Sequence, residues 1–208
     1  MENKKDGLPI LLYLGIVFIG TFIISFLNAL LNNSNIVDLA SIAMEGLVCL
    51  ILIIKYRKML IDGFKKLDAK RIIKIVIIGI IVVLINELIS ELFVKLNIAM
   101  ENQDTVVEMF NSINKIVMFL FIVIIGPIVE EFVTRYSIGT LIKNDKVFII
   151  VSGIIFGILH GVGIATILYI LLGGAFAYFY VKSDKNIIVP IMLHVINNLV
   201  SFIMMLFL

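Results

Sequence analysis

Long apolar segments dominate the pattern of the chain and alternate with short polar connections. A membrane-spanning helix needs about 20 consecutive, mostly apolar residues, and seven segments approach or exceed that length. They cover residues 8–31, 36–54, 72–97, 113–142, 147–162, 164–181 and 186–207. The fourth segment is longer than one span, and the fifth is short. The pattern therefore predicts an all-α, polytopic transmembrane helix bundle of about seven spans.

The distribution of basic residues predicts how this bundle is oriented. Lys and Arg cluster between Lys55 and Lys74, and if the helices alternate, "KNDK" (143–146) and "KSDK" (182–185) follow on the same side. The connections expected on the other side differ, since "NNSNIVD" lacks Lys and Arg and "NIAMENQDTVVEMFNS" is acidic. Because basic connections remain in the cytoplasm, we expect the N-terminus inside and the C-terminus outside.

Composition agrees with a membrane location. Of the 208 residues, 62% are hydrophobic and only 15% are charged, and the mean hydropathy is +1.17, whereas a soluble domain needs far more polar surface. Cys49 is the only cysteine, so an intrachain disulfide is excluded. The first apolar run is too long for the core of a signal peptide. We therefore expect a retained first span and a single integral membrane domain over residues 1–208, without internal repeats.

Polar residues within the late apolar segments are the candidates for function. A charged group at membrane depth is costly unless it is paired or hydrated, yet "EEFVTR" (130–135), "FGILH" (156–160) and "HVINN" (194–198) interrupt three predicted helices. Counted from the basic turns at about 1.5 Å per residue, Glu130, His160 and Asn198 lie roughly 20 Å deep and His194 roughly 14 Å. We predict that these four groups converge on one buried polar pocket.

The spacing within the motifs suggests how the groups divide their roles. Glu131 and Arg135 are four residues apart, share a helix face and can neutralise each other. Glu130 is rotated by about 100° from Glu131, so it has no local cation and suits a general base. His194 and Asn198 are also four apart and point the same way.

Two neighbouring residues are expected to shape the site. Pro127 lacks a backbone N–H, so it frees the carbonyl of Val123 and can kink its helix beside the site. Phe156 lies one turn before His160 on the same face, where it can pack against the imidazole.

Each feature also has a purely structural interpretation. The Glu131–Arg135 pair alone is most often structural, a lone His or Asn in an apolar helix usually bonds a neighbouring helix, and Phe156 alone is usually core. Only the joint pattern favours a functional site.

Glu45 can pair with a basic residue or line a water path. Five glycines are interpreted as close-packing positions of the fifth and sixth helices: Gly157, Gly161, Gly163, Gly173 and Gly174.

The three motifs resemble those of a known family. "EEFVTR" is similar to the EExxxR motif, "FGILH" to FxxxH and "HVINN" to HxxxN of the CPBP intramembrane proteases, the CAAX prenyl protease and bacteriocin-processing family, also called Abi. The resemblance covers residues 113–207, which would form a four-helix catalytic core. It implies hydrolysis of a peptide bond inside the membrane. The implied catalytic residues are Glu130, Glu131, His160, His194 and Asn198, with Arg135 and Phe156 in support.

The resemblance leaves the chemistry open between two forms. Without a metal, Glu130 and His160 would activate water, while His194 and Asn198 would stabilise the oxyanion. With zinc as cofactor, Glu130, His160 and His194 would be the ligands of an open catalytic site. We prefer the metal-free form, because Glu130 cannot easily be both ligand and base.

The expected partners are membrane lipid and a peptide or lipidated-peptide substrate, such as a CAAX-like, bacteriocin or signal-peptide precursor, with no nucleic acid. The substrate is expected to approach from the cytoplasmic side or from the bilayer, and the residue usage suits a bacterial cell membrane. The alternative function is a non-catalytic bacteriocin self-immunity protein that binds a pore-forming peptide. A small proton-coupled transporter is a third hypothesis, which the absence of repeats disfavours.

Overall fold

A computed structural model of the protein describes residues 5–31, 34–98 and 101–207. Within these residues the chain forms eight helices and no strand, so the predicted all-α bundle is confirmed. Helix α1 consists of Leu8–Leu12 and Ile19–Leu31, joined by a π-helical segment at Tyr13–Phe18. The others are α2 (Ser34–Lys65), α3 (Ala69–Lys95), α4 (Glu101–Ser112), α5 (Lys115–Leu141), α6 (Asp145–Leu159), α7 (Thr166–Lys182) and α8 (Ile188–Met205).

Among the described residues, five helices are long and apolar enough to cross a membrane, which identifies an integral membrane protein. They are Leu8–Phe26, Val37–Lys65, Ala69–Lys95, Lys115–Leu141 and Ile188–Met205. The other two predicted spans correspond to α6 with 15 residues and α7 with 17. At about 1.5 Å per residue these helices rise only roughly 22 and 26 Å, less than the hydrocarbon core of about 30 Å. The total of seven spans therefore stays a prediction.

Two helix boundaries differ clearly from the sequence prediction. Helix α2 continues past residue 54 to Lys65, with a bend at Tyr56 (φ −102°, ψ 15°). Because α3 begins at Ala69, only residues 66–68 of the basic stretch lie outside a helix. The second difference is α4, which occupies a segment predicted as a polar connection. Its sequence is too polar to be recognised as a span. Residues 1–4, 32–33 and 99–100, which contribute to the predicted orientation, lie outside the described residues.

Helices α6 and α7 form an antiparallel hairpin whose close approach depends on glycine. A Cβ added at Gly153 would lie 2.9 Å from the carbonyl oxygen of Ile170, and one at Gly157 would lie 3.0 Å from the Ile170 nitrogen. A Cβ at Gly173 would meet Phe156 at 2.7 Å. The prediction is thus confirmed for Gly157 and Gly173, and also for Gly174, whose backbone nitrogen would lie 3.0 Å from a Cβ at Gly153. It is wrong for Gly161 and Gly163, which have open space where a Cβ would lie.

Residues near the N-terminus tie α1 to the ends of α2 and α5. The Asp6 carboxylate accepts hydrogen bonds from the hydroxyls of Tyr56 (2.8 Å) and Tyr136 (3.2 Å), and the Asp6 N–H donates to Thr140 Oγ1 (3.0 Å). Burial acts to raise the pKa of Asp6. The hydrogen bonds from the Tyr56 hydroxyl, the Leu8 N–H and the Tyr136 hydroxyl outweigh burial and hold the pKa below its ordinary value.

The basic connections meet at one end of the bundle, which we call the basic end. Asn186, in the turn between α7 and α8, donates from Nδ2 to the carbonyl of Gly63 near the end of α2 (3.0 Å). Lys185 in the same turn pairs with Asp145 at the start of α6 (3.1 Å). The connection between α6 and α7 and the C-terminal end of α8 therefore lie at the opposite end, together with α4.

Candidate active site

Helix α5 carries the acidic motif between two π-helical segments, Leu120–Ile125 and Phe132–Ser137. The Gly126 N–H donates a hydrogen bond to the carbonyl of Phe121, five residues earlier. With the same spacing, the carbonyl of Ile122 would be bonded by residue 127, but Pro127 has no N–H. The Ile122 carbonyl instead accepts a hydrogen bond from Asn198 Nδ2 of α8 (2.9 Å). The sequence predicted that the carbonyl of Val123 is free, on the four-residue spacing of an α-helix. The π-helical turn has a five-residue spacing, so the carbonyl that Pro127 leaves free is that of Ile122.

Glu131 and Arg135 form the predicted ion pair in the centre of the bundle. Arg135 Nε lies 3.0 Å from Glu131 Oε2, and both side chains are fully buried. The guanidinium carbon of Arg135 lies 4.6 Å from the ring centroid of Phe156 and 5.7 Å from that of Phe176, distances that suit cation–π attraction. Arg135 Nη1 also donates to the hydroxyl of Thr134. The arginine is therefore held by a charge, two rings and a hydroxyl.

His194 of α8 is connected to this ion pair. Its Nδ1 lies 2.9 Å from Glu131 Oε1, so Glu131 bridges Arg135 and His194. The imidazole is almost completely buried and packs against the rings of Phe156 and Phe176, with centroids 5.5 and 5.1 Å away. These contacts leave His194 Nε2 pointing toward Glu130, 3.9 Å from its Oε2.

His160, just after the end of α6, approaches Glu130 from another side. Its Nδ1 is bonded to the carbonyl oxygen of Phe156 (2.8 Å), and its Nε2 lies 3.5 Å from Glu130 Oε2. The ring stacks on Tyr169, with centroids 4.7 Å apart and an interplanar angle of 17°. Phe156 covers it at 4.4 Å, as the sequence predicted. The tyrosine was missed, because an aromatic residue in an apolar helix carries no signal of its own.

The predicted convergence of the polar groups is found in the structure. Two imidazoles from different helices present Nε2 to the same carboxylate oxygen of Glu130, and each fixes its Nδ1 on an acceptor behind it. Glu130, His160, His194 and Asn198 all line one cavity of about 310 Å³. The catalytic roles assigned to them stay predictions at this point.

Asn198 has a more complex environment than its spacing suggested. Besides donating to Ile122, it accepts a hydrogen bond at Oδ1 from Asn197 Nδ2 (3.1 Å). An amide carries two N–H donors, so Asn198 keeps one for the cavity. Asn197 also lines the cavity, and its buried Oδ1 has no partner among the described residues. Asn197, the first asparagine of "HVINN", was not predicted as a site residue, because the motif's spacing from His194 points to Asn198.

The environment of Glu45 decides between its two interpretations. Glu45 is 9% exposed, and the described residues include no hydrogen-bond or ion-pair partner for it. The predicted pairing with a basic residue is therefore wrong. Glu45 lines the same cavity as Glu130, as the water-path interpretation required.

The zinc hypothesis is supported by the ligand types and not by their arrangement. One carboxylate and two imidazoles are ligands that zinc prefers, and hydrogen-bonded Nδ1 atoms are typical of metal-binding histidines. However, in the part of the chain that the structure describes, no three His, Cys, Asp or Glu side chains are grouped to hold a metal ion. We therefore derive no step through a metal.

Comparison with known proteins gives two matches, and the family match includes the polar site. Residues 112–200 match the family described as type II CAAX prenyl endopeptidase Rce1-like. A protein of Bacillus subtilis (strain 168) named "Putative membrane peptidase YdiL" is 33% identical over 109 residues, which are 51% of this chain and 43% of the relative. The chain is thus matched to less than half the length of that relative. No solved structure matches the chain.

These matches confirm the family resemblance that the three motifs predicted. The matched segment begins at residue 112, close to the start of the predicted core, and contains every candidate site residue. At the level of the family, the matches support a membrane protease.

Proposed function

We propose that this protein, whose C-terminal half resembles the CPBP family, is an intramembrane endopeptidase in which Glu130 and His160 activate the attacking water. The observation that carries the proposal is the meeting of two imidazole Nε2 atoms at one oxygen of Glu130, inside a cavity among apolar helices. A site of this kind in a membrane bundle is costly unless it has a function.

The hydrogen bonds behind His160 define how it can act. A carbonyl oxygen only accepts, so His160 Nδ1 must donate its hydrogen to Phe156. In the neutral ring Nε2 is then an acceptor, and it faces the ionised Glu130 carboxylate, which is also an acceptor. A water held between His160 Nε2 and the Glu130 carboxylate can donate one hydrogen to each group. Its lone pairs then point into the cavity, where a peptide carbonyl can be attacked.

The charges around His194 suit a donor to the oxyanion. Its Nδ1 donates to the Glu131 carboxylate, so Nε2 can also donate only if the ring is an imidazolium. That charge state makes the buried cluster neutral, since Glu130 and Glu131 then balance Arg135 and His194, and a neutral cluster is favoured at low dielectric. The Nε2–H of His194 and the second amide N–H of Asn198 supply two donors for the tetrahedral intermediate.

The remaining proton transfers need no further group. When water attacks the peptide carbon, Glu130 takes one of its protons and the carbonyl oxygen becomes the oxyanion. Collapse of the intermediate breaks the C–N bond, and Glu130 returns the proton to the departing amine. The immediate products are a carboxylic acid and an amine, and Glu130 is again ionised. The acid then loses its proton to the amine, so that the two products leave as a carboxylate and an ammonium group.

The substrate is proposed to be a membrane-associated or lipidated peptide, in keeping with the CAAX endopeptidase family that matches. The cavity is lined by Val106 and Val107 of α4 and by Met204 and Met205 of α8, which lie at the end opposite the basic end. We therefore place substrate access at that end or from the bilayer beside it. The sequence suggested the basic end or the bilayer, and this proposal keeps only the bilayer route of the two. With basic connections inside the cell, that end faces outward across a bacterial cell membrane, and the N-terminus lies inside.

The test is cleavage of membrane-anchored peptides by purified wild-type protein and by Glu130→Gln, each with and without a chelator. The matched control is Glu91→Gln, which changes a glutamate on the outer surface of the bundle, near the end of α3, that pairs with Lys95. We expect Glu130→Gln to lose at least about 100-fold in rate, while Glu91→Gln and chelator leave the rate unchanged. Thermal unfolding of the three proteins controls for folding.

Three other results would contradict this proposal in different ways. Loss of cleavage with chelator would identify a metalloprotease. Full activity in Glu130→Gln would show that Glu130 takes no part in catalysis. No cleavage by wild type over a broad peptide set, combined with protection against a bacteriocin that survives Glu130→Gln, would establish the non-catalytic immunity alternative.

A further inference from the structure

Glu45 of α2 is a buried carboxylate that the proposed reaction does not use. It is 9% exposed, and no cation or hydrogen-bond donor contacts it within the described residues. A carboxylate in such a place is costly unless a positive group or solvent compensates it. Because Glu45 lines the active-site cavity, the compensating group can come from a bound molecule.

Glu45 approaches the catalytic carboxylate across a gap left by a glycine. A Cβ added at Gly126 would lie 3.6 Å from Glu130 Oε1 and 4.0 Å from Glu45 Oε1. Both carboxylates therefore border the same small space above the Gly126 backbone. Whatever occupies that space is next to Oε1 of Glu130, the other oxygen of the carboxylate at which water is activated. A group bound there therefore belongs to a residue close to the scissile bond.

The other residues that line the cavity also favour the binding of a positively charged group. Glu87 of α3 also lines the cavity, and the described lining residues include no Lys or Arg. The unpartnered Oδ1 of Asn197, a residue that is 7% exposed, adds an acceptor that is independent of the carboxylates. Carboxylates within apolar walls concentrate a negative electrostatic potential in the cavity, which attracts a cation.

We propose that Glu45 forms the anionic centre of a substrate subsite that binds the ammonium or guanidinium group of a basic residue beside the scissile bond. The inference deepens the proposed peptidase function and rests on it. The long apolar stem of Lys or Arg can lie along the apolar wall while its charged end reaches Glu45. The attraction acts between apolar helices, where the dielectric is lower than at a surface and the interaction is therefore stronger.

Peptide binding tests this subsite without depending on cleavage. The protein carries Glu130→Gln to prevent turnover, and fluorescence anisotropy in detergent gives the Kd of three membrane-anchored peptides that differ at one position: Lys, acetyl-lysine and Met. We expect the Lys peptide to bind about tenfold more tightly than the other two. Adding Glu45→Gln should abolish the preference and leave the Met peptide within about twofold. Adding Glu91→Gln, the exposed control, should leave the preference intact.

Several outcomes would overturn the subsite. Equal affinities for the Lys and acetyl-lysine peptides would do so even if Glu45→Gln failed to fold, because that comparison uses protein with Glu45 intact. A preference that survives Glu45→Gln, or an equal loss for all three peptides, would also overturn it. A Lys preference without any cleavage by wild type would instead contradict the peptidase proposal. Cleavage without a Lys preference would contradict only the subsite.

Discussion

Replacing Arg135 by methionine removes the cation that neutralises a fully buried carboxylate. In the structure, Arg135 Nε lies 3.0 Å from Glu131 Oε2 and neither side chain is exposed. Methionine fills much of the same volume and can contact the rings of Phe156 and Phe176. The substitution therefore tests the charge more than the packing.

The size of the effect follows from what remains around Glu131. Breaking a buried ion pair by removing one partner typically costs about 3–5 kcal/mol, because the other charge stays buried. His194 Nδ1 still lies 2.9 Å from Glu131 and compensates part of that charge, so we expect the lower end, about 3 kcal/mol. The lost cation–π contacts contribute to this cost and are partly replaced by sulfur–aromatic contacts.

The assay is reversible unfolding in mixed micelles, which gives the free energy of unfolding for each variant. The double variant Arg135→Met with Glu131→Gln leaves no uncompensated charge in the pair and keeps an amide oxygen for His194. We expect it to be about 2 kcal/mol more stable than Arg135→Met alone. Arg135→Lys keeps the charge and loses the planar guanidinium contacts, so it should fall between wild type and Arg135→Met.

Two results would refute this reasoning. One is a cost below about 1 kcal/mol for Arg135→Met, which would mean that Glu131 does not depend on this cation. The other is a double variant no more stable than the single variant, which would mean that packing rather than charge determines the loss.

Three further predictions concern the hairpin, the N-terminal contacts and the oxyanion donor. Gly153→Ala should destabilise by about 1–3 kcal/mol, because its Cβ would approach the backbone of α7 at 2.9 Å, whereas Gly174→Ala should stay within about 1 kcal/mol of wild type; equal costs in the unfolding assay would contradict this. The lowered pKa of Asp6 means that its carboxylate stabilises the fold above the unfolded-state pKa and that this contribution disappears as the pH falls through the folded-state pKa. Asp6→Asn should therefore unfold more easily at pH 7 and lose less stability than wild type on acidification below about pH 4; parallel stability curves would refute it. Asn198→Ala should lower kcat by about 100-fold or more with little change in KM in the peptide cleavage assay, and an unchanged kcat would exclude Asn198 from oxyanion binding.

The approximate position of the site could be predicted because the helix converts sequence spacing into geometry. Each residue adds about 1.5 Å of rise and about 100° of rotation. The distance from the basic turns therefore placed Glu130, His160 and Asn198 at a common depth, and the spacing of Glu131 and Arg135 predicted their ion pair. The apolar segments likewise predicted the helical membrane bundle, since backbone groups in lipid must be bonded within a helix or barrel.

Contacts between helices were not predictable in this way. The link from Glu131 to His194 and the Asn198 bond to the Ile122 carbonyl depend on how α5 and α8 are rotated about their axes. The two π-helical segments of α5 change that rotation by inserting extra residues into a turn, and no local pattern marked them. For the same reason, sequence assigned the freed carbonyl to Val123.

The sequence by itself determined an integral membrane helix bundle with three polar motifs at one depth and a buried Glu131–Arg135 pair, because these follow from the rise and rotation within single helices. Only the tertiary structure decided that both imidazoles meet one oxygen of Glu130 and that Glu45 lies across Gly126 from the catalytic carboxylate. Such relations depend on side-chain packing between helices distant in the chain, which fixes their mutual rotation and distance and is not encoded by the spacing within any one of them.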